Sequence, residues 1–174
     1  MEYEEGNMKD ILCPREKIIL SPSELKHKLD FFRKLGAKIC LTTGAFDILH
    51  EGHLKYFLEA KKYGDALVVG VDSDIFVKKQ KGEGRPVNKQ ENREFVVAGF
   101  GCVDLVTRRD DIMDLIRIIR PDYFIRSKTT AADIEGRQDC VWVKENCGQV
   151  IILDPMSENH TSRIIEIVQR SKGV

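Results

Sequence analysis

The chain has 174 residues, and its 28 Lys plus Arg balance 28 Asp plus Glu, so the net charge is zero with histidines neutral. That length suits one domain with a single buried core, and an apolar fraction of 42% excludes disordered, collagen-like and fibrous classes. No apolar run approaches the roughly 20 residues that span a bilayer, the acidic opening Met-Glu-Tyr-Glu-Glu-Gly does not read as a secretory signal, and zero net charge argues against a dedicated nucleic-acid coat. The cysteines, Cys13, Cys40, Cys102, Cys140 and Cys147, are odd in number and contain no Cys-x-x-Cys pair. This argues against a disulfide framework and a structural zinc site, and a reducing cytoplasm fits best. Cys40 and Cys102 read as small core residues.

Residues 1 to 20 show no periodicity and read as a loosely ordered extension before a single domain at 21–174. Ser21-Pro22-Ser23-Glu24 is a capping box with proline at the first helical position. The helix it opens carries Leu25, Leu29, Phe32 and Leu35 and stops at Gly36. A short strand follows from Lys38 to Thr43, then a helix at 52–63 ending at Gly64. The run 66–71 is apolar throughout, as in a strand buried on both faces. Residues 78–88 form a polar, glycine-containing stretch, and Asn88 with Glu91 caps a helix to about residue 100. Then come a strand at 103–107, a helix at 111–119, a strand at 123–125 after Pro121, a helix at 138–146, a strand at 149–153 and a final helix at 161–171. Five strands alternating with helices predict an α/β fold, a doubly wound five-stranded parallel sheet with helices on both faces and ligands at the carboxyl ends of the strands.

The chemistry concentrates in the turn from the first strand into the next helix, Thr42-Thr43-Gly44-Ala45-Phe46-Asp47-Ile48-Leu49-His50-Glu51-Gly52-His53. Gly44 permits a tight turn, and Gly52 lets backbone approach a ligand. His50 and His53, three apart at a helix start, face one side and share that end with free backbone N–H groups. Together these make an anion site, and phosphate is the obvious anion. Histidines at a helix start can instead be satisfied locally, and an i, i+3 pair can share zinc, but no third ligand is evident and no metal site is expected. The stretch is neither a Walker loop nor a G-x-G-x-x-G fingerprint. Residues 78–93 hold Lys78, Lys79, Lys81, Arg85, Lys89 and Arg93 against Glu83 and Glu91. Such a run is either a solvated face or a mobile loop that closes over a polyphosphate.

Gly44-Ala-Phe-Asp-Ile-Leu-His-Glu-Gly-His53 resembles the signature of the HxGH nucleotidyltransferase superfamily, in its cytidylyltransferase-like branch. Tyr63-Gly-Asp65, Val69-Gly-Val-Asp-Ser-Asp74, Lys81-Gly-Glu-Gly-Arg-Pro-Val-Asn88, Arg93 and Val103-Asp104 follow in the family's order. Lys81 to Asn88 is most similar to the adenylyltransferase domain of the ADP-heptose synthases. The resemblance implies a Rossmann-like domain that binds a nucleoside triphosphate with Mg2+ and transfers its nucleotide in line to a phosphorylated acceptor. It implies catalytic roles for His50, His53 and Lys81, and nucleotide contacts from Thr43, Gly44, Ala45, Phe46, Gly52, Arg93, Arg126, Thr161 and Ser162. Asp47, Asp72, Lys78 and Lys79 fall to the acceptor or phosphates by the same likeness. ATP with a phosphorylated sugar such as a heptose 1-phosphate is the implied pair, and CTP with glycerol 3-phosphate or a related polyol is the alternative. A homodimer is expected by likeness, with no nucleic acid and no membrane.

The pattern breaks in several places. Thr42-Thr43-Gly44 stands where heptose-phosphate enzymes show Thr-Asn-Gly, and Asp72 where they show Asn. Thr107-Arg108-Arg109-Asp110-Asp111 replaces an acidic stretch beginning Phe-Asp-Glu, and the Arg108-Arg109 pair can be plain surface charge. Ile125-Arg126-Ser127-Lys128-Thr129-Thr130 replaces a segment containing Lys-Gly-Gly-Asp-Tyr, with Arg126 and Lys128 as substitutes for the lost lysine. His160-Thr161-Ser162 keeps hydroxyls ahead of the last helix. These changes also leave room for a catalytically idle nucleotide-binding homologue that regulates a partner.

Overall fold

The computed structural model describes residues 13–128 and 136–157, with helical positions 165, 167 and 170. Residues 1–12, Thr129 and Thr130, and Thr161 and Ser162 lie outside the described residues, as does most of the expected last helix. The sheet comprises β1 (Ile39–Gly44), β2 (Ala66–Asp72), β3 (Leu105–Arg109), β4 (Tyr123–Ser127) and β5 (Gln149–Leu153). The helices are α1 (Pro22–Lys34), α2 (Glu51–Lys61), α3 (Asp74–Lys81), α4 (Gln90–Ala98), α5 (Ile112–Ile119) and α6 (Gln138–Asn146). All strand pairings are parallel, in the order β3-β2-β1-β4-β5. The fold is therefore an α/β, Rossmann-like sheet whose order reverses between β1 and β4.

Alternation along the strands assigns the two cores. Ile39, Leu41, Ala66 and Val68 face a cluster with Leu25 and Leu29 of α1, Ile116 and Ile119 of α5 and Val143 of α6. Cys40, Leu67, Val69 and Val71 face Phe57 and Ala60 of α2 and Val97 and Ala98 of α4. A helix as short as α1 is marginal alone. Its two buried leucines, each contributing about 1.5–3 kcal/mol on full burial, fix it to the sheet. Ser21 caps it, its side chain accepting from the Glu24 N–H, and Gly36 follows it at φ +81°.

Four details differ from the sequence expectation. The segment before α1 is tied to the sheet from Pro14 onward. Pro14–Lys17 forms a 3-10 turn, the Ile19 N–H donates to the Val106 carbonyl at 2.8 Å, and Lys17 Nζ donates to the carbonyls of Phe100 and Val103. Second, the polar stretch beginning at 78 is the end of α3, capped by Ser73 accepting from the Phe76 N–H. This helix buries only Val77, so its apolar periodicity is faint. Third, Asn88 does not cap α4; Lys89 occupies that position, and the Asn88 amide donates to the Asp47 carbonyl at 2.6 Å. Fourth, β3 starts two residues later than expected. Asp104 is spent as a bracket, accepting from the Leu67 N–H and Lys61 Nζ, both at 2.6 Å. That offset carries Arg108 and Arg109 into the strand. All five cysteines are free thiols, and burial pushes Cys40 and Cys140 up to about 11. Among the described residues, no helix is long and apolar enough to cross a membrane.

Candidate active site

The carboxyl ends of β1, β2, β3 and β4 open into a cleft of about 840 Å³, within the size range of small-molecule sites. Its floor is the β1–α2 turn. Phe46 holds φ +47°, a left-handed conformation that costs a bulky residue about 1–3 kcal/mol. Its ring packs 5.0 Å from Phe57 and edge-on to His53 at 5.7 Å. A Cβ on Gly44 would meet that ring at 3.0 Å, so Gly44 is there to make room for Phe46.

The two histidines both end the helix and face the cleft. His50 is the N-cap of α2, and its Nδ1 accepts from the Gly52 N–H at 3.2 Å. His53 Nδ1 accepts from the His50 N–H at 3.3 Å. With Nδ1 accepting, a neutral imidazole carries its proton on Nε2. The ring centroids are 4.0 Å apart, so the two imidazoles share the N-terminal end of α2. Gly52 leaves space for this cap, because a Cβ there would lie 2.8 Å from Ser157 Cβ and 2.9 Å from His50 Cε1. Local satisfaction of Nδ1 by the backbone is compatible with both rings lining the cleft.

At the β1–β4 reversal, Thr42 Oγ1 lies 2.8 Å from the Tyr56 hydroxyl, which donates to the Ile125 carbonyl at 3.1 Å. Enclosure pushes the Tyr56 hydroxyl up to about 12, against the opposing pull of Thr42 and Arg126, so it stays a neutral donor. Arg126 is 6% exposed; its Nη1 donates to Thr43 Oγ1 at 3.1 Å and lies 4.0 Å from Asp139, which also holds Arg137. Burial alone would raise the Asp139 carboxyl, but Arg137 and Arg126 hold it below the usual range. Arg126 Nε is buried without a partner.

The structure brings Thr43, Gly44, Ala45, Phe46, Asp47, His50, Gly52, His53, Asp72, Lys81 and Arg126 together around this cleft. Burial, then the Arg85 charge, lowers the Lys81 ammonium from its ordinary value. Three of the expected ligands have other work. Arg93, 1% exposed, gives Nε to the Asn88 carbonyl, Nη1 to the Ala45 carbonyl, and Nη2 to the Asp72 carbonyl and the Asp74 carboxylate. It clamps three loops, and four of its five N–H donors are spent on those acceptors. Asp47 spends both carboxylate oxygens on Arg85 Nε and the N–H groups of Val87 and Asn88 at 2.7–3.0 Å. Those bonds outweigh burial and lower its pKa, which makes Asp47 a latch for the 85–88 loop rather than an acceptor ligand. Asp72 reaches the cleft, but its carboxylate is held by Arg109. Lys78 pairs with Glu83, and neither Lys78 nor Lys79 lines the cleft. The basic stretch is therefore anchored at Arg85–Asn88, not a free arm.

Sequence reasoning missed Tyr56, Phe76, Arg109, Arg137 and Ser157, which also line the cleft. Tyr56 had a signal, lying one helical step beyond His53. Arg109 had none until the strand register was known. Its neighbour Arg108 turns the other way and pairs with buried Glu94 at 3.1 Å, so neither arginine is plain surface charge.

The family described as cytidylyltransferase-like matches residues 41–167. The chain belongs to that family. It is 40% identical over 138 residues to the bifunctional protein HldE of Helicobacter hepaticus, covering 78% of this chain and 27% of that protein. HldE of Nitratiruptor sp. is 35% identical over 167 residues, covering 95% and 34%. The chain thus spans about a third of the length of these relatives. A lipopolysaccharide core biosynthesis protein from Thermoplasma volcanium superposes with a TM-score of 0.59 at 26% identity, covering 72% of this chain and all of that one.

Proposed function

We propose that the chain is a nucleotidyltransferase moving AMP from ATP to a phosphorylated sugar, such as a heptose 1-phosphate. One observation carries it: two histidines, held by backbone N–H groups through Nδ1 with ring centroids 4.0 Å apart, line the cleft at the α2 N-terminus. The acceptor phosphate is already anionic, so its oxygen needs no general base. That oxygen bonds to the α-phosphorus, the bond from the α-phosphorus to the bridging oxygen breaks, and pyrophosphate leaves with the electron pair. His50 and His53 donate to the phosphate oxygens on which charge gathers, already oriented by the cap. Lys81, at the end of α3, supplies a cation to the departing phosphates. Among the described residues no cluster of three His, Cys, Asp or Glu offers a metal site. Magnesium would accordingly travel on the triphosphate oxygens, where it offsets their charge.

The test is pyrophosphate release with magnesium, offering ATP and CTP separately against heptose 1-phosphate, other sugar phosphates and glycerol 3-phosphate. Release with ATP and a sugar phosphate is the expected result. Release only with CTP and glycerol 3-phosphate would move the chain to the cytidylyl alternative. A bound triphosphate with no release for any acceptor would refute transfer and leave a nucleotide-binding regulator.

A further inference from the structure

The sheet divides the cleft. Its order reverses between β1 and β4, and a nucleotide belongs in the crevice at that reversal. His50, His53, Tyr56 and Arg126 surround that crevice. The rest of the cleft lies over β2 and β3, where Asp72, Phe76 and Arg109 line it. In-line displacement needs a second phosphorylated reactant, and this is the space left for it.

Arg109 is the unusual group on that side. It is 5% exposed, sits opposite Asp72 in the β2–β3 register, and gives Nε to Asp72 Oδ1 at 2.5 Å. Its guanidinium carbon lies 4.0 Å over the Phe76 ring. Neither terminal nitrogen has a partner among the described residues, yet neither is sealed off as a buried orphan. A purely structural arginine would be expected to grip the carboxylate with two nitrogens, since burying a guanidinium is costly unless its donors are served. Here one nitrogen is gripped, one face is stacked, and the two remaining nitrogens are left at the cleft. Moreover, positions 72 and 109 both lie among the departures from the heptose-phosphate pattern, and the structure makes them partners.

We infer that Arg109 is an acceptor-binding residue whose terminal nitrogens hold an oxyanion, phosphate or carboxylate, of the acceptor, and that Asp72 is the positioning residue that sets it. This deepens, and rests on, the nucleotidyl-transfer function proposed above. The subsite belongs to this chain's own pair at positions 72 and 109, so acceptors without an oxyanion in reach of Arg109 should be poor substrates.

The experiment titrates inorganic phosphate, and malonate as the carboxylate arm, into the folded full chain by calorimetry, with and without a non-hydrolysable ATP analogue and magnesium. Arg109→Met should weaken binding of the preferred anion at least about tenfold, the loss expected for charge-assisted bonds, while the ATP analogue binds within about twofold of wild type. Arg126→Met should show the reverse. Asp72→Asn keeps an oxygen to accept from Arg109 Nε and so keeps the guanidinium in place, while removing the negative charge that offsets it, so it should bind the anion more tightly, and it carries the test if Arg109→Met does not fold. The inference is overturned if wild type binds neither anion, if folded Arg109→Met binds as wild type does, or if Asp72→Asn fails to bind the anion more tightly. Pyrophosphate release is scored separately. Its absence from a wild type that binds phosphate through Arg109 would sink the transfer reaction and leave the oxyanion subsite standing.

Discussion

Replacing Arg93 with leucine separates a clamp from a ligand. The side chain is 1% exposed and serves the carbonyls of Ala45, Asp72 and Asn88 besides the Asp74 carboxylate. Leucine would strand three enclosed carbonyls, each at about 1–3 kcal/mol. Asp74 is 44% exposed on its side chain, so its carboxylate rehydrates and adds little. Removing a buried guanidinium also relieves its desolvation, which brings the net loss to about 3–5 kcal/mol. That is a large share of the roughly 5–15 kcal/mol by which domains are stable. With a urea slope of about 2 kcal/mol per molar, the unfolding midpoint should fall by about 1.5–2.5 M. Lysine should rescue little, because one ammonium cannot span three separated carbonyls. Urea melts followed by circular dichroism, run beside triphosphate titrations, give both readouts. An Arg93→Leu protein that melts where wild type does but no longer binds triphosphate would refute the clamp and return Arg93 to the phosphates.

Further outcomes follow from the same geometry. His53→Ala should reduce pyrophosphate release about 10²–10³-fold with an unchanged circular dichroism spectrum, the usual loss for one oriented donor; near-normal turnover in a folded variant would remove His53 from the site. Gly52→Ala should push His50 and Ser157 apart and lower kcat about 100-fold, as small misplacements of reacting groups do, and kinetics equal to wild type would show that the gap is not used. The Asp47 and Asp139 carboxyls have folded pKa values below their ordinary ones. Their stabilisation is complete above the ordinary carboxylate range and is lost as pH falls through the depressed folded values. Melting temperature should therefore drop on acidification from pH 5 to 3, and Asp47→Asn should flatten that limb while melting lower at pH 7. A variant profile parallel to the wild type's would show that Asp47 does not contribute.

How far the sequence could be read depended on how local each cause was. Ser21 and Pro22 announce α1 because a cap acts within one turn, and the apolar run at 66–71 announces β2 because both of its faces are covered. The histidine pair was legible for the same reason, since helix spacing alone puts both on one side. What stayed hidden is set by distant partners. Arg93 reads as a phosphate ligand because its carbonyl acceptors lie as far as 48 positions away and leave no mark on composition. Asp47 looks like a free acid for the same reason, its partners being about 40 positions downstream. Arg108 and Arg109 look like one surface pair until the two-residue offset of β3 sends one to Glu94 and the other to Asp72.

Asp72 serves two arginines with different atoms, its carbonyl to Arg93 and its carboxylate to Arg109. Because three of the four acceptors on Arg93 are main-chain carbonyls, that hub is nearly blind to which side chains stand at 45, 72 and 88. Mutation at 45 and 72 can therefore re-tool the rim of the cleft while the loops beneath stay fastened. Selection would bear hard on a single arginine and lightly on the residues it touches, a division of labour that lets one scaffold drift between acceptors without passing through an unfolded ancestor.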